Sequence, residues 1–434
     1  MNRSVQPELW TPQLNNVPLV NQSFLDNGME LFVIKVENLD LVRIDFMFSG
    51  GVWVQNHPLQ ALLALSNIKE GTIHKHSSEV NEILDFYGAT FSTTVSKTFS
   101  LLTVVCLAKY IIPVIELTRE IILSPIYDLT ELQIKLQQMK ASYDIQSHQV
   151  KTQAERLFFN TLFGKRHPMS SFPETHDFEM HDNTLLFEYY KKYIGSSNCK
   201  LIVSGNTSTD VLEAINDFWG CDKWGADVVV ENLDMKLASY DINTVNEISG
   251  RFDYEMQFPT VQSHVFSGCV FEKLHNKRKA VMILANCLLG GYFGSRLMKN
   301  IREEKGLTYG IYSQILNNNH FNVLCISTDT NIQMTDVVIE EIKHEIDVLR
   351  NINVSVNELD VVKNYYAGTI CRAYETNLSF AARLVKKIAA HEKIDDVFET
   401  LKFFEQIQPN DIMDFFDEFC DVERFLWSVA SSKK

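Results

Sequence analysis

The chain has 434 residues, 45% of them apolar and 22% charged, with 18 Gly and 10 Pro; it exceeds what one hydrophobic core usually fills and lacks the composition of long disordered tracts. Its formal net charge of −15 argues against a nucleic-acid partner, which requires a basic patch, and against adhesion to an anionic membrane. No apolar run approaches the roughly 18 residues of a spanning helix, and Met1 to Glu8 contains no signal-like apolar core, so a cytoplasmic location is expected.

In chain order, Phe24 to Ile34 holds an Asp26-Asn27-Gly28 turn and an apolar strand, and Leu41 to Phe46 alternates as a second strand. Phe48-Ser49-Gly50 ends that run and an apolar helix follows as far as Ser66-Asn67, with Leu59, Leu62 and Leu63 read as its buried face. His74 to Glu79 contains a His-x-x-Glu fragment, expected to be a solvated helix start. Glu131-Leu132 opens a long helical pattern, and an aromatic helix at Leu185 to Tyr193 precedes a strand at Lys200 to Val203. The same series then recurs: Phe266-Ser267-Gly268, a helix ending at Ala285-Asn286, a long helix from Glu358-Leu359, an aromatic helix at Ile412 to Phe419 and a strand at Phe425 to Val429. The acidic stretch from Asp222 to Phe258 has irregular apolar spacing and suits a connector.

Within the second copy, Leu297 and Ile301 mark a helix that Ser295 caps and Gly306 ends. Arg302 then falls in its last turn and Tyr309 two residues into an alternating strand, Leu307 to Ile315, a reversal that can bring the pair together; by themselves the residues equally suit an Arg302 paired with Glu303, Glu304 or solvent and a Tyr309 in the core. The glycines of Gly290 to Gly294 are expected to allow close helix packing; no Gly-Lys-Ser/Thr follows to make a phosphate loop. The eight cysteines form no Cys-x-x-Cys pair and read as reduced core residues. The expected fold is α+β: two homologous domains, 1–220 and 255–434, each an antiparallel sheet with helices on one face and a core of its own, joined by a linker at 221–254.

The opening strand with Asn27-Gly28, the Gly71-Thr72 pair, Gly290-Gly291-Tyr292-Phe293-Gly294-Ser295-Arg296-Leu297 and Ile301-Arg302-Glu303-Glu304-Lys305-Gly306-Leu307-Thr308-Tyr309 together resemble the pitrilysin/insulinase-type metallopeptidases. Active members of that family carry His-x-x-Glu-His on the first helix. Counted back from Gly71-Thr72, the motif positions here are Leu62, Leu65 and Ser66, none of which ligates zinc or shuttles a proton. The distal glutamate ligand of the family falls near Ser142, where no carboxylate stands before Asp144. The resemblance therefore implies no metal and no cofactor in this chain and no peptidase activity from it alone.

In the family, an arginine and tyrosine spaced like Arg302 and Tyr309 help bind the substrate backbone and its oxyanion. The resemblance thus implies a non-catalytic, substrate-binding subunit of a heterodimeric zinc peptidase. Its partner would be a homologous subunit with His-x-x-Glu-His and the zinc, and its substrate a peptide. Two alternatives stay open: an inactive structural or peptide-binding homologue without a peptidase partner, and a stand-alone enzyme with a relocated site.

Overall fold

The computed structural model describes residues 18–36, 39–165, 167–179, 182–227, 248–317, 320–393 and 396–432. The first sheet contains β1 (Val20–Phe24), β2 (Glu30–Lys35), β3 (Leu41–Ser49), β4 (Thr90–Val95), β5 (Phe99–Leu107) and β6 (Cys199–Gly205), in spatial order β1-β2-β6-β3-β5-β4. The second contains β7 (Gly250–Glu255), β8 (Gln262–Glu272), β9 (Thr308–Asn317), β10 (Phe321–Asn331) and β11 (Leu426–Ser431), in order β7-β11-β8-β10-β9. Omitting β1, the two orders are the same, so the internal repeat seen in the sequence is a repeat of topology. Pairing is antiparallel except that β2 runs parallel to β6 and β7 parallel to β11. The α+β class stands, with one parallel pair added to each sheet.

The period of two along each strand divides the side chains between faces. In β3, Val42, Ile44, Phe46 and Phe48 point into a core shared with the helices Gln60–Ser66, Ile111–Leu123, Thr184–Tyr193 and Thr209–Trp219. In the second half, Val265, Cys269, Leu324, Ile326 and Val429 do the same against Asn276–Asn286, Thr335–Asn351 and Pro409–Phe419.

The other face of each sheet is covered by a helix from the opposite half. Val150–Phe163 lays Ala154, Phe158, Phe159 and Leu162 on Phe266, Val270, Val323, Cys325 and Leu426 of the second sheet. Phe158 and Phe266 meet edge to face, with ring centroids 4.9 Å apart. In return, Asn377–Ala389 packs on β3 and β6, joining Phe380, Ala381 and Leu384 to one cluster with Phe32, Met47 and Ile202. The expectation that each half buries a core of its own against its own helices stands, and to it the structure adds a second apolar layer on the opposite face of each sheet. A sheet with apolar side chains on both faces must be covered twice, and here each half supplies the second cover for the other.

Of the span read as a linker, 221–254, residues 228–247 lie outside the described residues. Trp224 and Ala226 at its start are buried, and Gly250 to Tyr254 at its end belong to strand β7. Among the described residues no helix is long and apolar enough to cross a membrane.

Candidate functional site

The helix Gln60–Ser66 carries Leu62, Leu65 and Ser66, the positions that the sequence resemblance assigns to the inverted zinc motif. Leu63 is fully buried and Leu65 is 1% exposed, but Leu62 is 41% exposed. Its expected place on the buried face is therefore wrong: Leu62 and Ser66, one turn apart, share the open side of the helix. Neither offers a metal ligand. Ser142, on the helix Leu129–Ser147, is exposed. Among the described residues no group of three or more His, Cys, Asp or Glu side chains is disposed to hold a metal ion.

Gly71-Thr72 has a structural use of its own. Gly71 sits at φ +125°, and a Cβ there would meet Ile126 at 3.0 Å. Thr72 Oγ1 accepts from the backbone N–H of Lys75 (2.9 Å) and donates to Glu120, which Lys75 also pairs at 2.5 Å. The nearby His-x-x-Glu fragment is a helix start: the N–H of His76 donates to Glu79 Oε2 at 2.8 Å in a capping box.

Arg302 and Tyr309 do come together. Residues Met298–Glu304 form a π-helical turn, the Lys305 N–H donating to the Asn300 carbonyl at 3.1 Å, and Gly306 at φ +62° ends it. Arg302 Nε donates to the backbone carbonyl of Tyr309 at 3.1 Å, and its guanidinium lies over the Phe293 ring, 4.7 Å from the centroid. An ion pair to Glu303 at 3.6 Å adds little at this exposure. The Tyr309 side chain is 93% exposed on β9, the edge strand of its sheet. Arg302 is thus held against the Tyr309 backbone and the Phe293 ring, while the Tyr309 side chain projects from the surface.

The clamp rests on a second layer. Arg296 binds Glu358 through two hydrogen bonds of 2.9 Å, a fork-to-fork pair. Asn300 donates to Glu345 (2.8 Å) and Glu341 (3.2 Å), and Lys305 pairs with Glu341. The Lys305 hydrogen bond holds the Glu341 carboxyl below its usual range, whereas burial raises that of Glu345. Gly290 packs the preceding turn onto β9: a Cβ there would lie 2.6 Å from the Ser313 nitrogen. Ser295, expected to cap the helix, makes no cap bond, and its hydroxyl is buried. Ser295 nevertheless stands at the helix start, directly before helical Arg296, with the Lys299 N–H donating to its carbonyl at 2.9 Å.

Sequence reasoning passed over Phe293, whose ring fixes Arg302, because an aromatic in a glycine-rich turn carries no periodic signal. It also passed over His264, Ser327 and Asp329, which only strand pairing brings together.

Residues 183–366 match the family described as Peptidase M16 inactive domain. A zinc protease of Bacillus subtilis (strain 168), YmxG, described as uncharacterized, is 20% identical over 404 residues, covering 88% of this chain and 92% of that one. The structure of a peptidase M16 inactive domain from Pseudomonas fluorescens is similar at TM-score 0.80 and 18% identity, covering 96% of this chain and 98% of that one. A protease structure from Helicobacter pylori reaches TM-score 0.84 at 14% identity, covering 96% and 100%. Residues 183–366 are thus similar to the M16 inactive domain, and the chain as a whole shares the fold of M16-type proteins.

Proposed function

We propose that this chain is the non-catalytic, substrate-binding subunit of a cytoplasmic heterodimeric zinc metallopeptidase that cleaves peptides. Arg302 and Tyr309 face a zinc site carried by a homologous partner with His-x-x-Glu-His. The observation that carries the reading is the pair itself: an anchored cation beside a tyrosine 93% exposed on an edge strand. A side chain so exposed adds little to the stability of its own chain, so its use lies in contact with another molecule. A fixed guanidinium and a phenol hydroxyl stabilise negative charge developing on a peptide carbonyl, most strongly once a closing partner excludes water.

The test is reconstitution. This chain alone should retain no stoichiometric zinc after dialysis against a mild chelator and cleave no peptide, and mixing it with the zinc-motif subunit should create activity that neither has alone. Tyr309→Phe removes one hydroxyl and little volume, so assembly should survive while turnover falls by up to about 100-fold to 1000-fold. Arg302→Ala should cost at least as much. Wild-type turnover from both variants at matched complex concentration would make the pair structural and remove the basis for this assignment.

A further inference from the structure

Strand pairing sets His264 of β8 directly opposite Asp329 of β10, and Ser327 lies two residues earlier on the same face of β10. The imidazole bridges them: Nδ1 is 2.7 Å from Asp329 Oδ1 and Nε2 is 3.1 Å from Ser327 Oγ. An ionised carboxylate only accepts, so the ring proton belongs on Nδ1, and the lone pair of Nε2 faces the serine hydroxyl. Nucleophile, base and orienting carboxylate therefore form one chain of hydrogen bonds, the arrangement that activates a serine.

This cluster lies on the face of the second sheet that Val150–Phe163 covers, toward the edge formed by β9. His264 is buried, Ser327 is half-buried and the Asp329 side chain is 51% exposed. Tyr312, opposite Ser327 on β9, is 58% exposed, so the serine borders solvent on that side. The His264 hydrogen bond, with the charge of Lys151 added, holds the Asp329 carboxyl below its ordinary range and keeps it anionic.

We propose that Ser327, His264 and Asp329 form a metal-independent acyl-transfer site for small activated esters, separate from the Arg302 and Tyr309 pair. Ser327 Oγ attacks the ester carbonyl carbon while its proton passes to His264 Nε2. The bond to the leaving alcohol breaks, and that alcohol takes the proton from Nε2. Water, giving a proton to the same nitrogen, then attacks the acyl-serine; Ser327 leaves as the alcohol and a carboxylic acid is released. Asp329 is a positioning residue that holds the ring tautomer. β10 pairs with β8 throughout this stretch and with β9 as far as Thr328, where the register shifts past Asp329, so the sheet takes up most of its backbone N–H groups and leaves no paired donors aimed at an oxyanion. Esters with good leaving groups fit such a site; amides, which need strong oxyanion stabilisation, do not.

The experiment uses the whole chain in EDTA with a fluorophosphonate probe and p-nitrophenyl acetate. One adduct per chain is expected, mapped by mass spectrometry to Ser327 and absent from Ser327→Ala. Asp329→Asn should slow adduct formation and ester turnover roughly 100-fold or more at an unchanged melting temperature, because an amide still holds the ring but in the wrong tautomer. Ser327→Ala and Asp329→Asn both retain volume, so folding is verifiable by the same melt. No adduct on the wild type, an adduct that survives Ser327→Ala, or an Asp329→Asn rate equal to wild type would each overturn the proposal.

Discussion

Of Leu62 and Leu65, it is Leu65 that would tolerate a polar or metal-ligating side chain least. It is 1% exposed and packs in the first core, whereas Leu62 faces outward on the same helix. Leu62→His should leave the melting temperature within a degree or two, since surface changes rarely exceed about 0.5 kcal/mol. Leu65→Glu buries a carboxylate without a partner and should cost about 3 kcal/mol or more. Denaturant titration of the two variants separates them; equal stabilities would show that the helix turns freely at this site. A second residue-scale effect concerns His167. Its ring is buried, stacks on Phe163 with centroids 4.6 Å apart, and accepts at Nδ1 from the Met169 N–H at 2.9 Å. Burial, with a smaller contribution from Lys97, pushes its pKa from the ordinary 6.5 down to about 4. The folded state therefore binds the proton less readily than the unfolded chain, and stability present above pH 6.5 is lost as pH falls toward 4, by at most about 3 kcal/mol. Urea midpoints between those pH values should show this slope, and His167→Gln should flatten it.

At the scale of elements, the helix Val150–Phe163 decides how the halves hold together. Its residues face the second sheet although its sequence lies in the first half, and Phe158 is fully buried between them. Phe158→Ala should cost about 3 to 5 kcal/mol through lost transfer energy and the cavity left behind. Because the helix is common to both halves, the loss should appear in one cooperative transition followed by fluorescence and by circular dichroism alike. Two separated transitions, only one of them shifted, would show that the halves unfold independently. The turn at Met298–Glu304 has a comparable role on a smaller scale: it puts Arg302 against Phe293 and the Tyr309 carbonyl at once.

For the whole molecule, the exchange of helices means that covalent continuity between the halves is not what joins them. A protease site inserted within residues 228–247 and cut after purification should leave the two pieces co-eluting on gel filtration and melting as one unit. Pieces that separate in dilute native buffer would show that the exchanged helices contribute little. By itself the sequence determined the repeat, the α+β class and the helix-to-strand turn between Arg302 and Tyr309, since all of these depend on residue identity or on local periodicity. Gly306 was legible as a helix stop because only a local, left-handed conformation was needed there. The exchange of Val150–Phe163 for Asn377–Ala389, the outward face of Leu62 and the meeting of His264 with Ser327 and Asp329 were decided only by the tertiary structure. An amphipathic pattern states that a face will be buried but not against which sheet, and strand partners distant in sequence leave no local trace of their register.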